Sequence, residues 1–475
     1  MKKFISNFIF QSIFQVVKLL MPILTVPIVS RALGPSNVGL YNFTQSITQY
    51  FYLLAGLGLA LYAQRTIARK RDDKEELSKV FWELEAFSAI TVVISLSLFF
   101  IITSFMGYRQ IYLLQSLTVV SVLFDISWFF IGIEEFQLTS IRSLFISFLT
   151  FIFILLFVHN QEDTLKYIAI QTGGMLLSQI IMWPFLLKKV KFIKPKFKNI
   201  VRHFPYIIQY FIPQVAILLN LNLNKTVLGV MGTKSEVGFF SNSIIITTMI
   251  VVLISTVDTV LLPKLSNLHV KNDKKGILKV LDISLNIQFF FTIPIAVGLA
   301  VVSQKMVPWF FGESFVPIKY LMPMLACIVI INPMGASISR QWLVPNGKMK
   351  SYNFSVLLAA VVAVFLNIIL IPYIGMFGTV VAAIISELIV TISRVVEFIK
   401  DTAFKYDKLK ILKYVVSAIV MALVIYITTN EMPPRLIVTL IQVIIGIVVY
   451  FIITHLFSVN PISDFLLKMW NKKIK

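Results

Sequence analysis

Long apolar runs follow one another along almost the whole chain and are separated by short polar segments. Each run ends at charged residues or at Gly, Pro or Asn. A helix that crosses a bilayer needs about 20 mostly apolar residues. The pattern therefore predicts an all-α integral membrane protein with fourteen transmembrane helices, over residues 4–32, 38–63, 80–105, 110–131, 141–158, 165–187, 204–230, 238–263, 281–302, 317–342, 351–372, 378–399, 411–429 and 435–456.

The composition supports a membrane protein and excludes several other classes. Of the 475 residues, 58% are hydrophobic and 14% are charged, against about 45–50% and 25% in soluble domains. A soluble enzyme, a nucleic-acid-binding domain and a secreted disulfide scaffold are therefore excluded. One cysteine, Cys327, and four histidines give no basis for a disulfide, a metal site or a cofactor.

Basic residues are distributed unequally between alternate connecting segments. If the N-terminus is cytoplasmic, the cytoplasmic segments hold 34 Lys and Arg residues and the external segments hold 8. Cytoplasmic loops of membrane proteins carry such an excess. The asymmetry explains the net charge of +21 and predicts that both termini are cytoplasmic.

The two halves of the chain carry a repeated motif. Val38-Gly39-Leu40-Tyr41 matches Val237-Gly238-Phe239-Phe240 at an offset of 199 residues. Six predicted helices separate the repeat starts, so both repeats have the same orientation, as in parallel-repeat transporters. The predicted organisation is an N-lobe with helices 1–6 (1–187), a basic cytoplasmic linker (188–203), a C-lobe with helices 7–12 (204–399), and helices 13–14 with a tail (400–475).

Polar residues recur on one face of several apolar helices. Helix 1 carries Gln11, Gln15 and Lys18 at helical spacing, helix 2 carries Gln45, and helix 7 carries Asn224. A Lys at a helix centre costs about 2.5–3.5 kcal/mol on insertion scales. We expect a hydrophilic cavity lined by helices 1, 2, 7 and 8, with Lys18 binding a substrate phosphate. The alternative is that these groups bind neighbouring helices, with Lys18 held by a carboxylate or carbonyls.

Further ionisable residues lie in or near the predicted helices. The basic ones either anchor at lipid headgroups or together surround a pyrophosphate path; they are Arg31, Arg142, Lys225 and Arg340. The embedded acids either couple transport to an ion or neutralise basic residues; they are Asp125, Asp258 and Glu387. Glu83 and Glu85, near the start of helix 3, are interpreted as boundary residues.

Short motifs in a fixed order resemble the Wzx-type polysaccharide flippases of the multidrug/oligosaccharidyl-lipid/polysaccharide exporter superfamily. They are Arg31–Pro35, Val38–Phe43, Val237–Ser241, Leu262–Ser266, Phe311–Phe315, Pro345–Lys348, Leu366–Pro372 with Gly375 and Gly378, and Ile385–Glu387. The resemblance covers about the first 400 residues. It implies two six-helix bundles around a central cavity, two C-terminal helices, and alternating access.

The resemblance also implies the cargo and the location. The cargo would be a polyprenyl-pyrophosphate-linked oligosaccharide, moved from the inner to the outer leaflet of a bacterial cytoplasmic membrane. Helix 7 departs from many relatives, because Asn220, Asn222, Asn224 and Lys225 occupy a region where an acidic residue is common. The resemblance therefore implies no acid-based role for this helix.

The sequence thus favours a flippase that is not an enzyme and works in capsule, exopolysaccharide or O-antigen assembly. Its partners would be the lipid-linked oligosaccharide, membrane lipids and the polysaccharide polymerase machinery, without nucleic acid. Two alternatives stay open. One is a cation-coupled drug antiporter of the same superfamily, which would require a cavity lined by acidic and aromatic residues. The other is a membrane polysaccharide polymerase, which would need a large catalytic loop that this chain lacks.

Overall fold

The computed structural model describes residues 2–402 and 404–463; for helical residues 2–16, 18, 19, 213, 216 and 220 it describes the backbone alone. Throughout these residues the secondary structure is helical, without a β-strand. This confirms the predicted all-α class. The chain divides into two compact units, residues 1–238 (unit 1) and 239–475 (unit 2).

Unit 1 is built from ten helices and the first turn of an eleventh in the part of the chain that is described. They are α1 (Lys2–Gly56), α2 (Leu59–Lys70), α3 (Lys74–Thr103), α4 (Arg109–Val120), α5 (Ser127–Gly132), α6 (Phe136–Phe157), α7 (Thr164–Ile180), α8 (Trp183–Leu186), α9 (Phe197–Arg202), α10 (Phe204–Met231) and the start of α11 (Lys234–Val270). A 3₁₀ turn, Gln161–Asp163, precedes α7.

The long helix α1 contains two of the predicted spans. It breaks at Gly34, whose φ of 71° and ψ of 171° are non-helical. Glycine tolerates positive φ, and Pro35 then begins the next helical part because its fixed φ suits a first helical position. The Gly-Pro pair therefore separates predicted helices 1 and 2 almost without a loop.

Predicted helix 4, residues 110–131, is interrupted in the structure. α4 ends at Val120, and residues 121–126 form turns before α5 starts at Ser127. Asp125 stabilises this interruption, since its Oδ1 accepts hydrogen bonds from the Ser127 amide at 3.0 Å and the Ser127 hydroxyl at 2.5 Å. Asp and Ser compete with helical backbone bonds in this way, so a continuous helix was the wrong prediction here.

An aromatic cluster forms part of the core of unit 1. Phe81 on α3 lies against Trp128 and Phe129 of α5, with ring centroids 5.4 Å apart in both pairs. All three side chains are buried. Edge-to-face and stacked aromatic pairs of this kind stabilise a core beyond their buried area, and here they hold the short helix α5 against α3.

Unit 2 contains the rest of α11 and six further helices within the described residues. They are α12 (Lys274–Phe311), α13 (Ile318–Ile338), α14 (Met349–Ile374), α15 (Met376–Thr402), α16 (Lys408–Thr429) and α17 (Leu436–Leu456). The last two helices pack on α12. Tyr414 of α16 donates a hydrogen bond to Asn286 at 3.0 Å, and Tyr450 of α17 donates one to the Phe290 carbonyl at 2.9 Å.

The end of α13 passes into a π-helical turn, Ser339–Leu343, followed by a loop that closes at Lys348. The Lys348 ammonium donates hydrogen bonds to Asp401 and to Glu397 of α15, both at 2.6 Å. These bonds, first that to Asp401, raise the pKa of Lys348. The segment Pro345–Lys348, one of the motifs that carry the family resemblance, is thus bound to α15 through Lys348.

Eleven helical segments in the described chain are long and apolar enough to cross a membrane. The first of these, Leu20–Lys70, covers parts of two predicted helices. The remaining predicted spans correspond to the interrupted α4–α5 region and to α10. The chain is a multi-pass membrane protein. The predicted division into lobes at the linker 188–203 stays a prediction; by contacts, α10 belongs with unit 1.

Candidate functional site

A groove of about 430 Å³ opens in unit 1 between the first part of α1 and the helices α6 and α7. Among the described residues, no charged side chain lines it. Its apolar walls include Ile146, Phe151 and Met175. Its hydroxyl and amide groups belong to Thr25, Ser143, Ser147, Thr150, Tyr167, Gln171, Ser178 and Gln179.

The spacing of these residues explains why they share one groove. Ser143, Ser147 and Thr150 follow each other at i, i+4 and i+7 on α6, and Gln171 and Ser178 are seven apart on α7. Such intervals place side chains on one helix face. Gly174 lies between the two α7 residues, and a Cβ there would come within 2.6 Å of the Thr150 hydroxyl oxygen. The missing side chain allows α6 and α7 to approach at the groove.

Arg142 lies at the edge of this groove. Its Nη1 donates a hydrogen bond to Gln179 at 2.8 Å, and its Nη2 makes a longer contact of 3.4 Å with Ser143. Its Nε is buried, and no described residue accepts a hydrogen bond from it. In the described structure no carboxylate lies within ion-pair distance of the guanidinium, although Asp125 acts on it through space. The guanidinium of Arg142 is therefore held in place by an amide, without an ion-pair partner among the described residues.

Among the side chains that the structure describes, the other predicted cavity residues of unit 1 do not line this groove. The side chains of Gln11, Gln15 and Lys18 lie outside the described residues. Arg31 is exposed, and Asn224 and Lys225 are half-buried on α10. Gln45 is half-buried, and its buried Oε1 accepts no hydrogen bond from any described residue. Of the residues predicted to bind substrate, the described structure brings Arg142 alone to the groove. A cavity lined by helices 1, 2, 7 and 8 stays a prediction.

In unit 2 the predicted residues Asp258 and Arg340 form an ion pair of 3.4 Å. Asp258 is 3% exposed, and three further donors converge on its Oδ1: Ser337 at 2.6 Å, Gln288 at 2.8 Å and Gln341 at 2.9 Å. Buried carboxylates need such hydrogen bonds. Within the π-helical turn, the side chain of Arg340 is exposed, whereas that of its neighbour Gln341 is buried.

The acids Asp125 and Glu387 occupy two other settings. Asp125 stabilises the start of α5 in unit 1, as described above. Glu387, on α15 in unit 2, accepts a hydrogen bond from Asn332 at 2.8 Å. Arg394 is buried over the ring of Tyr352, 4.7 Å from its centroid, and no ion pair joins it to Glu387 within the described chain. Each of the three predicted ion-coupling acids therefore has hydrogen-bond partners of its own in the described structure.

Two buried acids were misinterpreted from the sequence as boundary residues. α3 begins at Lys74, so Glu83 and Glu85 lie inside it and are only 5% and 6% exposed. Glu83 accepts a hydrogen bond from Asn199 at 2.7 Å and lies 3.2 Å from His203. Neither carboxylate oxygen of Glu85 has a partner in the described structure. The sequence signal for the true start of α3 is Asp73, an N-cap residue that is followed three positions later by Glu76.

Comparisons with known proteins place the chain in a family. The family described as "Polysaccharide biosynthesis protein" matches residues 4–269. The "Putative O-antigen transporter" of Escherichia coli K12 is 21% identical over 81% of this chain and 94% of its own length. The "Probable low-salt glycan biosynthesis flippase" of Haloferax volcanii is 25% identical over 57% of each chain.

Two solved structures share the fold. The lipid II flippase MurJ in an inward closed conformation superposes with a TM-score of 0.74 at 18% identity, over 95% of this chain and 98% of its own. An inward-facing multidrug resistance transporter of the MATE family has a TM-score of 0.63 at 16% identity, over 84% and 98%. With more than half of its residues matched by the family, the chain belongs to the polysaccharide biosynthesis proteins and has the fold of the MurJ and MATE transporters.

Proposed function

We propose that this protein is a flippase, not an enzyme. It moves polyprenyl-diphosphate-linked oligosaccharides from the inner to the outer leaflet of the bacterial cytoplasmic membrane by alternating access. The product would supply a polysaccharide polymerase that assembles surface glycan. The family and the names of the curated relatives, transporters and flippases of glycans, support this proposal.

The observation that carries the proposal is a pair of cations in unit 1, Arg142 and Lys225, for which the described residues supply no ion-pair partner. Arg142 has an amide partner but no carboxylate, and Lys225 makes neither a hydrogen bond nor an ion pair within the described structure. Basic side chains inside membrane segments are costly and therefore mark sites where a counter-charge arrives. A diphosphate supplies that counter-charge, and guanidinium groups bind phosphate oxygens well.

A cation-coupled drug antiporter is the weaker interpretation. A site for cationic drugs would need carboxylates, yet the described lining of the unit 1 groove contains none. The predicted acids are already bound: Asp125 by Ser127, Asp258 by four donors, and Glu387 by Asn332. The site chemistry therefore favours an anionic cargo.

The proposal includes an orientation with both termini in the cytoplasm. It can be tested with cysteines placed at Asn160, beside the 3₁₀ turn, and at Lys194, in the basic linker, after Cys327→Ser. A membrane-impermeant thiol reagent applied to intact cells should label position 160 but not position 194. Labelling of both positions, or of position 194 alone, would refute this topology.

The function is tested by changing the charge of Arg142 in cells that make the matching glycan. Arg142→Gln should lower export of the lipid-linked glycan at least about tenfold, and Arg142→Lys should retain part of it, at equal protein levels. Arg109→Gln is the control, because Arg109 is an exposed basic residue at the start of α4. Normal export by Arg142→Gln would remove the main support for the proposal.

A further inference from the structure

We propose that the groove between α1, α6 and α7 binds the saccharide part of the cargo, next to a diphosphate site at Arg142. This assignment rests on the proposed function and adds a location for the sugars. The hydroxyls that carry it belong to Ser147, Thr150 and Ser178, which line the groove.

The groove offers hydrogen-bonding groups that none of the described residues uses. The hydroxyls of Ser147, Thr150 and Ser178 make no hydrogen bond to any described residue. In a membrane-spanning region lipid cannot supply partners for polar groups. Three free hydroxyls on one groove therefore indicate water or a polar ligand there.

The chemistry of the lining fits an uncharged sugar. Hydroxyl and amide side chains both donate and accept hydrogen bonds, as sugar hydroxyls require. The apolar side chains of Ile146, Phe151 and Met175 can cover the carbon-bound faces of a sugar ring. The volume of about 430 Å³ lies within the range of about 300–1,000 Å³ that is usual for small-molecule pockets.

The position of Arg142 matches the covalent structure of the cargo. Gln179 lines the groove and also accepts the Arg142 hydrogen bond of 2.8 Å. One residue thus belongs to both sites, so a ligand at the guanidinium borders the groove. In a lipid-linked oligosaccharide the diphosphate is bonded directly to the first sugar. An anion site adjoining a sugar site is the arrangement that such a molecule needs.

The test removes these three hydroxyls without removing any hydrogen bond between described residues. The variant is Ser147→Ala/Thr150→Val/Ser178→Ala in the full-length protein, purified in detergent. The control is Ser97→Ala on α3, an exposed serine that bonds its own helix backbone. Two probes are titrated and compared: the lipid-linked oligosaccharide extracted from the producing cells, and polyprenyl diphosphate without sugar.

Wild type and Ser97→Ala should bind the oligosaccharide probe more tightly than the sugarless probe. The triple variant should bind the oligosaccharide at least about tenfold more weakly, because it loses up to three hydrogen bonds, while its affinity for the sugarless probe and its thermal stability stay unchanged. Unchanged oligosaccharide binding by the triple variant would overturn the groove assignment. So would equal affinity of wild type for both probes, although the flippase function would then still stand. If wild type binds neither probe better than a phosphate-free polyprenol, the proposed function fails as well.

Discussion

Gly39 and Gly238, 199 residues apart, meet backbone to backbone. A Cβ on Gly39 would lie 1.6 Å from the Lys234 carbonyl oxygen and 2.8 Å from the Gly238 amide nitrogen. The contact is reciprocal, since a Cβ on Gly238 would lie 2.2 Å from the carbonyl oxygen of Pro35. Pro35 and Lys234 are separated by the same 199 residues, so the glycines of the two Val-Gly motifs are required by their mutual packing.

Gly39→Ala should therefore disrupt this helix contact. The new methyl group meets backbone atoms that cannot rotate away, and overpacking of this kind costs about 1–3 kcal/mol. We expect a lower thermal midpoint in detergent and reduced export. Gly56→Ala in the same helix is the control, because nothing lies within 4 Å of a Cβ there. Equal midpoints for the two variants would show that the contact is not tight.

Glu83 and Glu85 should respond in opposite ways to the same substitution. Glu83→Gln replaces an acceptor that Asn199 and His203 use, so it should lower the free energy of unfolding by about 1–3 kcal/mol. Glu85→Gln removes a buried carboxyl that has no hydrogen-bond partner among the described residues, and a neutral amide costs less to bury. We expect it to be as stable as wild type or more so. Thermal unfolding of both variants in detergent measures the difference, and greater loss for Glu85→Gln would contradict this account.

The helices were predictable from the sequence because burial in lipid makes their apolar runs long and continuous. The ends of α10 and α17 fall within about one residue of the predicted limits. Local polar chemistry was harder to predict. The turn at Asp125 interrupts an apolar run through two hydrogen bonds to Ser127, and hydropathy does not register such bonds.

The groove between α1, α6 and α7 could not be predicted from the sequence, for a different reason. Serine and threonine are common in apolar helices, and they usually bond to their own backbone, as Thr139 and Ser143 do. Whether a hydroxyl such as that of Ser147 lacks a partner depends on how neighbouring helices pack. Arg142 could be selected from the sequence because a charge near a helix is conspicuous, but its partner Gln179 could not.

Two substitutions of Asp258 can show whether its carboxylate is structural or couples an ion to transport. Asp258→Asn keeps an oxygen for Ser337, Gln288 and Gln341 and loses mainly the 3.4 Å contact to Arg340. It should cost about 1 kcal/mol and leave partial export. Asp258→Leu leaves several buried donors unpaired and should cost about 3 kcal/mol or more. If Asp258→Asn instead abolishes export together with its dependence on Na⁺ or pH, Asp258 couples an ion to transport.

The charge of Lys18 should help to move the diphosphate, which must cross about 30 Å of hydrocarbon. In sequence Lys18 precedes the groove residues Met21, Pro22 and Thr25 by three, four and seven positions, the intervals of one helix face. An ammonium within an apolar helix is costly unless water, a counter-ion or cargo compensates it. We therefore expect Lys18→Gln to abolish export of the lipid-linked glycan and Lys18→Arg, which keeps the charge, to retain part of it. Protein levels must match wild type for either result to count. Full export by Lys18→Gln would show that the positive charge at this position does not contribute to cargo transfer, and Arg142 would then have to bind the diphosphate without it.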